Sequence, residues 1–272
     1  MKKFACILLL TKCSFLSFAQ EEKQKAELGI FLGGSYYLGD MNPSKPFAFT
    51  KPAGGLVYRK IINPRYALKS NLLAGSLYAT DSKSNDPLQK NRNLHFKSLL
   101  IELAGEIEFN FLPYEIGNPR YPFSPYAFIG LAGFYFNPKA ELGGSWHNLQ
   151  PLGTEGQGNK KYFLTQISIP FGLGFKVSLS KRIGLSCEWG LRKTFTDYID
   201  DVSTTYPDPV ALQNKAGTLA GQLSDPSLNK DNTTHTGYQR GNSKNKDWYS
   251  FAGITIGYRI NAKEAKCPAY NY

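Results

Sequence analysis

From Gln166 to Leu179 the chain reads QISIPFGLGFKVSL, with Ile167, Ile169, Phe171, Leu173, Phe175, Val177 and Leu179 at every second position. Between them stand Gln166, Ser168, Pro170, Gly172, Gly174, Lys176 and Ser178. Strict alternation places one set on each face of a strand, because successive side chains of extended backbone point to opposite sides; a helix would scatter the same apolar residues around its circumference. The run is longer than an ordinary soluble strand of about five or six residues and covers the roughly 9–11 tilted residues that cross a bilayer in a barrel. The pattern predicts a transmembrane β-strand.

The same pattern recurs along the chain. A first strand is predicted over Glu27–Leu38, where Leu28, Ile30, Leu32, Tyr36 and Leu38 share a phase against Gly29, Gly33 and Ser35. A second, over Gly54–Ile62, is ambiguous in phase because Val57 and Tyr58 compete for the apolar face. The turn Asn63-Pro64-Arg65 leads to a third at about Tyr66–Tyr78. In the fourth, Leu99, Ile101, Leu103, Ile107 and Phe109 oppose Glu102, Glu106 and Glu108, and three carboxylates on one face cannot point into lipid. The fifth, Tyr126–Phe136, is aromatic throughout, and Asn137 to Lys160 reads as a Gly-rich polar loop. After the sixth strand, Gln166–Leu179, Ser180-Lys181-Arg182 makes a minimal turn into the seventh, where Ile183, Leu185, Cys187, Trp189 and Leu191 alternate with Gly184, Ser186, Glu188, Gly190 and Arg192. Asp200 to Lys246 is polar, spotted with Pro and Gly, and aperiodic; the last strand, Trp248–Ile260, sets Ala252, Ile254, Ile256 and Tyr258 against Gly253, Thr255, Gly257 and Arg259.

These strands predict an all-β fold, an eight-stranded antiparallel transmembrane β-barrel with long external loops. An even strand number and connections of alternating length are the features of bacterial outer-membrane barrels, and an even number returns both ends to the periplasm. A soluble lipocalin-type barrel has the same alternation with its faces exchanged. Its outer wall would then carry the glycine and serine series of the sixth strand, and aromatic placement favours the membrane version. Tyr36, Tyr66, Tyr78, Phe136, Tyr162, Trp248, Tyr249 and Tyr258 fall near strand ends, where interfacial girdles belong. Gly253, Ile256 and Tyr258 also resemble the assembly signal on the last strand of outer-membrane barrels, with Phe251 at a position that is usually polar.

The first segment, MKKFACILLLTKCSFLSFAQ, has Lys2 and Lys3 ahead of an apolar run and small residues at Ser17 and Ala19. This predicts a signal peptide over residues 1–19, in preference to lipidation at Cys13, which Lys12 disfavours. The barrel then occupies 20–262 and a periplasmic tail 263–272. Of four cysteines, Cys187 and Cys267 survive cleavage, one on a lipid-facing strand and one in the tail, so an internal bridge is not expected. A leftover cysteine in an oxidising compartment suggests pairing with another chain; an unpaired thiol without a role is the alternative. No later stretch has the eighteen apolar residues of a membrane helix, so a spanning chain must be a closed barrel. The net charge of +11 has no clustered Lys/Arg motif behind it, which points to anionic lipid or an acidic partner and not to nucleic acid.

An eight-stranded barrel has an interior just wide enough for its own side chains. Glu102, Glu106, Glu108 and Glu188, facing Lys176, Arg192 and Arg259 with Lys69 as a further candidate, predict a packed lumen network of opposite charges. The three histidines, His95, His147 and His235, fall in or beside loops without a compact Ser/Asp grouping. Neither an enzyme, a cofactor nor a zinc or calcium site is expected. Asn232-Thr233-Thr234 fits a glycosylation acceptor and reads as coincidence in a bacterial chain.

The runs GIFLGGSYYLGDMNP, RYALKSNLLAGSLYATD, ELAGEIEFNFLPY and PYAFIGLAGFYFNPKA, with the sixth strand, resemble the PorG-type outer-membrane barrels of the type IX secretion system of Bacteroidota. EFNF followed by Phe123 to Pro138 is the most specific part. The resemblance implies a noncatalytic component contacting a periplasmic ring built from the lipoprotein PorK and its partner PorN, and carries no catalytic residues. In that setting Cys267, Pro268 and Tyr270 are candidate ring contacts. The competing expectation is a surface barrel of adhesin or host-interaction type, acting through Asp200 to Lys246 and Asn137 to Lys160.

Overall fold

The computed structural model describes residues 25–158, 160–229 and 235–261. The expected signal peptide, Asn232-Thr233-Thr234 and the tail with Cys267, Pro268 and Tyr270 lie outside the described residues. Among the described residues nine strands form: β1 (Lys25–Leu38), β2 (Lys51–Ile61), β3 (Tyr66–Thr80), β4 (His95–Asn110), β5 (Phe123–Leu142), β6 (Ser145–Asn148), β7 (Thr165–Ser178), β8 (Ile183–Thr194) and β9 (Trp248–Asn261). Eight of them pair in an antiparallel ring, β1-β2-β3-β4-β5-β7-β8-β9, which closes where β9 meets β1 from Lys25↔Asn261 to Leu38↔Trp248. Closure leaves no edge strand within the ring, which is what allows its strands to lie in lipid.

The pleat sorts the side chains as the alternation requires. Ile167, Leu173, Ile30, Leu103 and Ile256 stand exposed on the outer wall, while Ser168, Lys176, Glu102, Glu106 and Thr255 are buried inside. No helix among the described residues is long and apolar enough to cross a membrane. The apolar surface is the outside of the barrel, the arrangement of a membrane-spanning barrel. In β2 the competition resolves with Val57 and Arg59 inward and Leu56 and Tyr58 outward. Gly172 and Gly190 are cross-strand partners beneath the Phe128 ring, and a Cβ at either would collide with it. The small face of β7 therefore makes room for an aromatic filling the lumen.

Three features differ from the sequence expectation. First, β5 runs past Phe136 to Leu142 and turns into β6 within the stretch read as a loop. Gly143 and Gly144 both have positive φ, +61° and +80°, the backbone of the type I′ turn that matches strand twist. Replacing Gly144 with Val places a β-branched residue in the left-handed region at a local cost of about 1–3 kcal/mol. Amide exchange should rise sharply at Ser145–Asn148, while the unfolding midpoint of the barrel stays unchanged. Second, Phe136 and Tyr249 do not join an aromatic girdle: both are fully buried in the lumen, and Tyr162 stacks on Phe136 from the loop above. Tyr66, Trp248 and Tyr258 remain outside at the strand ends. Third, the long connections are folded in their described parts. They contain α1 (Pro87–Arg92), α2 (Pro209–Ala216) and α3 (Thr218–Ser224), with Asp86 and Asp208 capping the first two ahead of a proline at the helix start.

Candidate functional site

The candidate site is the filled lumen together with the two structures that stop its ends. β4 projects Glu102, Glu106 and Glu108 inward at every second or fourth residue, and β8 opposes them with Glu188 and Arg192. Lys69 lies 2.8 Å from Glu106 and 2.9 Å from Glu188; Arg59 donates to Glu108 at 3.1 Å, and Lys176 is ion-paired with Glu108. Arg192 holds Glu102 through two bonds of 3.1 Å, and Tyr249 donates to the same carboxylate at 2.8 Å. Five buried carboxylates, counting Glu27, thus face four buried cations. Lys69 and Arg192 also lie over the rings of Phe128 and Phe251, which fills the space beside each charge with carbon.

Arg59 was not among the candidates, because the phase of β2 could not be assigned from its own residues. Its signal was the pairing of Glu27, Arg59 and Lys69 at one level of β1, β2 and β3. Arg259 was a candidate for this network and stands apart from it. It lies at the strand end, bonding Glu115 at 2.9 Å and the carbonyl of Ile116 at 2.5 Å. Both contacts are on the β4–β5 connection, which folds Tyr114 and Ile116 into the barrel mouth beside the start of β1 and the end of β9. Lys25 reaches Glu115 at 2.7 Å, so one carboxylate fastens the first and last strands to this plug. Voids of about 10 Å³ lie beside Glu27 and Tyr114, each with room for a water at most.

Beyond Arg192 the lumen turns apolar, with Phe31, Leu73, Phe96, Leu100, Phe134 and Phe251 in one buried cluster. Ile199 and Val202, from the β8–β9 connection, belong to the same cluster and press a lid onto it. Two arginines stitch the lid. Arg92 grips Asp81 with two bonds of 2.7 and 2.9 Å and donates to the carbonyls of Asp40 and Arg240, joining three connections. Arg240 donates to Glu155 at 3.0 Å and to the carbonyls of Asp201 and Ser224. Glu155 in turn accepts the backbone N–H groups of Ser203 and Thr204. Asp201, at φ +65°, accepts from Tyr162 at 2.6 Å and from the Thr154 hydroxyl. Among the described residues the lumen is packed along its length and covered at both ends.

His95, His147 and His235 do not converge: His95 accepts the Glu141 N–H, and His235 meets Asp225 at 2.7 Å. No group of three or more His, Cys, Asp or Glu side chains among the described residues is placed to hold a metal ion. Cys187 is a free thiol exposed on the outer wall.

A family described as "Domain of unknown function (DUF6089)" matches residues 2–215. The chain belongs to this family. No curated protein matches it. Among solved structures, this DUF6089 barrel is similar to the N-terminal β-barrel domain of Pseudomonas aeruginosa OprF, at TM-score 0.38 and 12% identity over 88% of this chain and 98% of that one. It is also similar to Ail, the attachment invasion locus protein of Yersinia pestis, at 0.42 and 8% over 88% and 100%. A third is a major outer membrane protein of Thermus thermophilus, at 0.42 and 10% over 86% and 99%. The eight-stranded closure rests on this chain's own strand register.

Proposed function

We propose that this DUF6089 chain is a noncatalytic outer-membrane barrel that works as an anchor and not as a conduit. Its task, in this proposal, is to hold or assemble the periplasmic ring of a type IX protein secretion machine. The observation that supports an anchor is the filled lumen: the Arg192–Glu102 pair, the apolar layer and the lid occupy the path that a solute would need. The resemblance of EFNF and the following Phe123–Pro138 run to PorG-type barrels supplies the machine. Placing the short turns in the periplasm puts both chain ends there, on the side of the Glu115 plug that holds the start of β1 and the end of β9. Cys267, Pro268 and Tyr270 then become the candidate contact with a ring of PorK-type lipoprotein and its PorN-type partner.

The test is a pull-down of the tagged barrel from gently solubilised outer membranes, with mass spectrometry of what accompanies it. Recovery of the ring lipoprotein and its partner supports the proposal. The barrel alone, in cells whose secretion survives its deletion, would sink it. That second result favours a surface barrel acting through its loops. One observation speaks for that reading: the lid displays Leu88, Phe163, Val210, Leu228 and Tyr238 to solvent, each more than 60% exposed. Removing the β8–β9 connection separates the two roles, since an anchoring function survives the deletion and an adhesive one does not.

A further inference from the structure

At the loop end of β1 three polar side chains meet out of water. Tyr37, Asp200 and Asp247 are all buried, and the Tyr37 hydroxyl lies 2.6 Å from Asp200 Oδ2 and 2.7 Å from Asp247 Oδ1. The other oxygen of each carboxyl is occupied: Asp200 Oδ1 accepts the Val202 N–H and Asp247 Oδ2 the Ile199 N–H, both at 2.9 Å. A phenol has one proton to give. It can satisfy one carboxylate, and its contact with the second is a hydrogen bond only if that carboxyl carries a proton and donates to the phenol oxygen.

No nearby cation removes this requirement. The charged and titratable groups around the cluster are Asp40 from the β1–β2 connection, Asp81 and Arg92 from β3–β4, Glu155 and Tyr162 from β6–β7, and Asp197, Asp201 and Arg240 from β8–β9. Arg92 spends its donors on Asp81 and two carbonyls, and Arg240 on Glu155 and two carbonyls. Neither bonds Asp200 or Asp247. Lys246, on the β8–β9 connection, acts on Asp197 and donates to the Ser243 carbonyl; the other neighbours are acids or phenols, and the charge of the acids works against ionising the pair.

We propose that Tyr37, Asp200 and Asp247 share a bound proton that locks the loop lid onto the barrel, and that its loss releases the lid as the pH rises. Ile199 and Val202, whose N–H groups hold the two carboxyls, are the residues that press the lid onto the apolar layer. The lock therefore sits at the lid's attachment point. Burial pushes both carboxyls well above the ordinary carboxylate range, and the charge of Asp247 on Asp200, and of Asp197 on Asp247, acts in the same direction. Burial also raises Asp201 to about 6 and Asp197 to about 7. All four groups have raised values in the closed state. Their stabilisation of the closed lid is complete below the open-state value of about 4 and is lost as pH climbs through the closed-state values.

The experiment uses the full chain folded in lipid vesicles and follows amide exchange at 199–202, corrected for intrinsic rates, as a function of pH. At every pH where the closed lid keeps the shared proton and the open lid has lost it, that proton should add a factor of about ten per pH unit to the opening constant, on top of the rise due to Asp197 and Asp201. Asp247→Asn replaces the acid with a permanent mimic: its amide can donate to the Tyr37 oxygen while its carbonyl accepts the Ile199 N–H. This variant should lose the shared proton's part of the slope and keep only the part due to Asp197 and Asp201. Asp200→Asn meets the same demands against Val202 and serves if the first variant fails to fold. A wild-type lid equally protected across the range would overturn the proposal, as would an Asn variant that keeps the wild-type slope.

Discussion

Replacing Arg192 with alanine should destabilise the barrel by about 3–5 kcal/mol, the cost of leaving a buried charge without its partner. Arg192 is fully buried, and with it gone Glu102 keeps only the Tyr249 hydroxyl as a hydrogen-bond partner. A carboxylate so placed must either stay charged in a poorly solvating interior or take up a proton, and both routes weaken the folded state. The measurement is the unfolding midpoint in urea, followed by tryptophan fluorescence of the detergent-folded chain.

A second variant separates charge from packing. Arg192→Met with Glu102→Leu removes both charges at nearly constant volume. Tyr249 keeps Ser168 at 2.9 Å, and the Gly190 carbonyl vacated by Arg192 still accepts from Ser250 at 2.8 Å. The double variant should regain most of the stability lost in the single one, because a buried ion pair exchanged for apolar residues of similar size is often neutral. If it unfolds as readily as Arg192→Ala, the pair acts through shape, and the lumen is not an electrostatic network at that level.

How far the lumen was legible depended on what stood on the other face of each strand. Glu102, Glu106 and Glu108 announced the inner face of β4 because a carboxylate has no place in lipid, and Leu103 and Ile107 confirmed its outer face. Val57 beside Tyr58 gave no such contrast, and Arg59 was lost with the phase of β2. The apolar half of the interior was hidden for the same reason: Phe128, Phe134 and Phe136 point inward from a strand whose outward residues include Ile129 and Leu131. Hydrophobicity alone cannot say which face is which when both are apolar. The short helices of the lid had local signals in Asp86-Pro87 and Asp208-Pro209, the cap and first-turn residues of helix starts. Its fastening had none, since Arg240 finds Glu155 across 85 residues of chain.

That fastening makes the second large effect. Arg92→Ala should free the lid while leaving the barrel's unfolding midpoint within error of the wild type. Its guanidinium joins Asp81, Asp40 and Arg240, on three separate connections, and none of its bonds reaches a strand of the barrel. The loss also strands Asp81, which is fully buried and left with the Leu94 N–H at 3.1 Å. Hydrogen bonds to charged groups contribute about 1.5–3 kcal/mol each where they are not replaced by water. Because water reaches the opened site, a net loss of about 2 kcal/mol is expected, or roughly thirtyfold faster exchange at 81–94 and 195–229. Asp81→Asn on the Arg92→Ala background should recover part of that protection by removing the orphaned charge. Slower exchange in the double variant than in Arg92→Ala would locate the cost in the buried carboxylate. Equal exchange would assign it to the lost bridges to Asp40 and Arg240, and unchanged exchange in Arg92→Ala itself would show that the apolar contacts of Ile199 and Val202 hold the lid without the arginine.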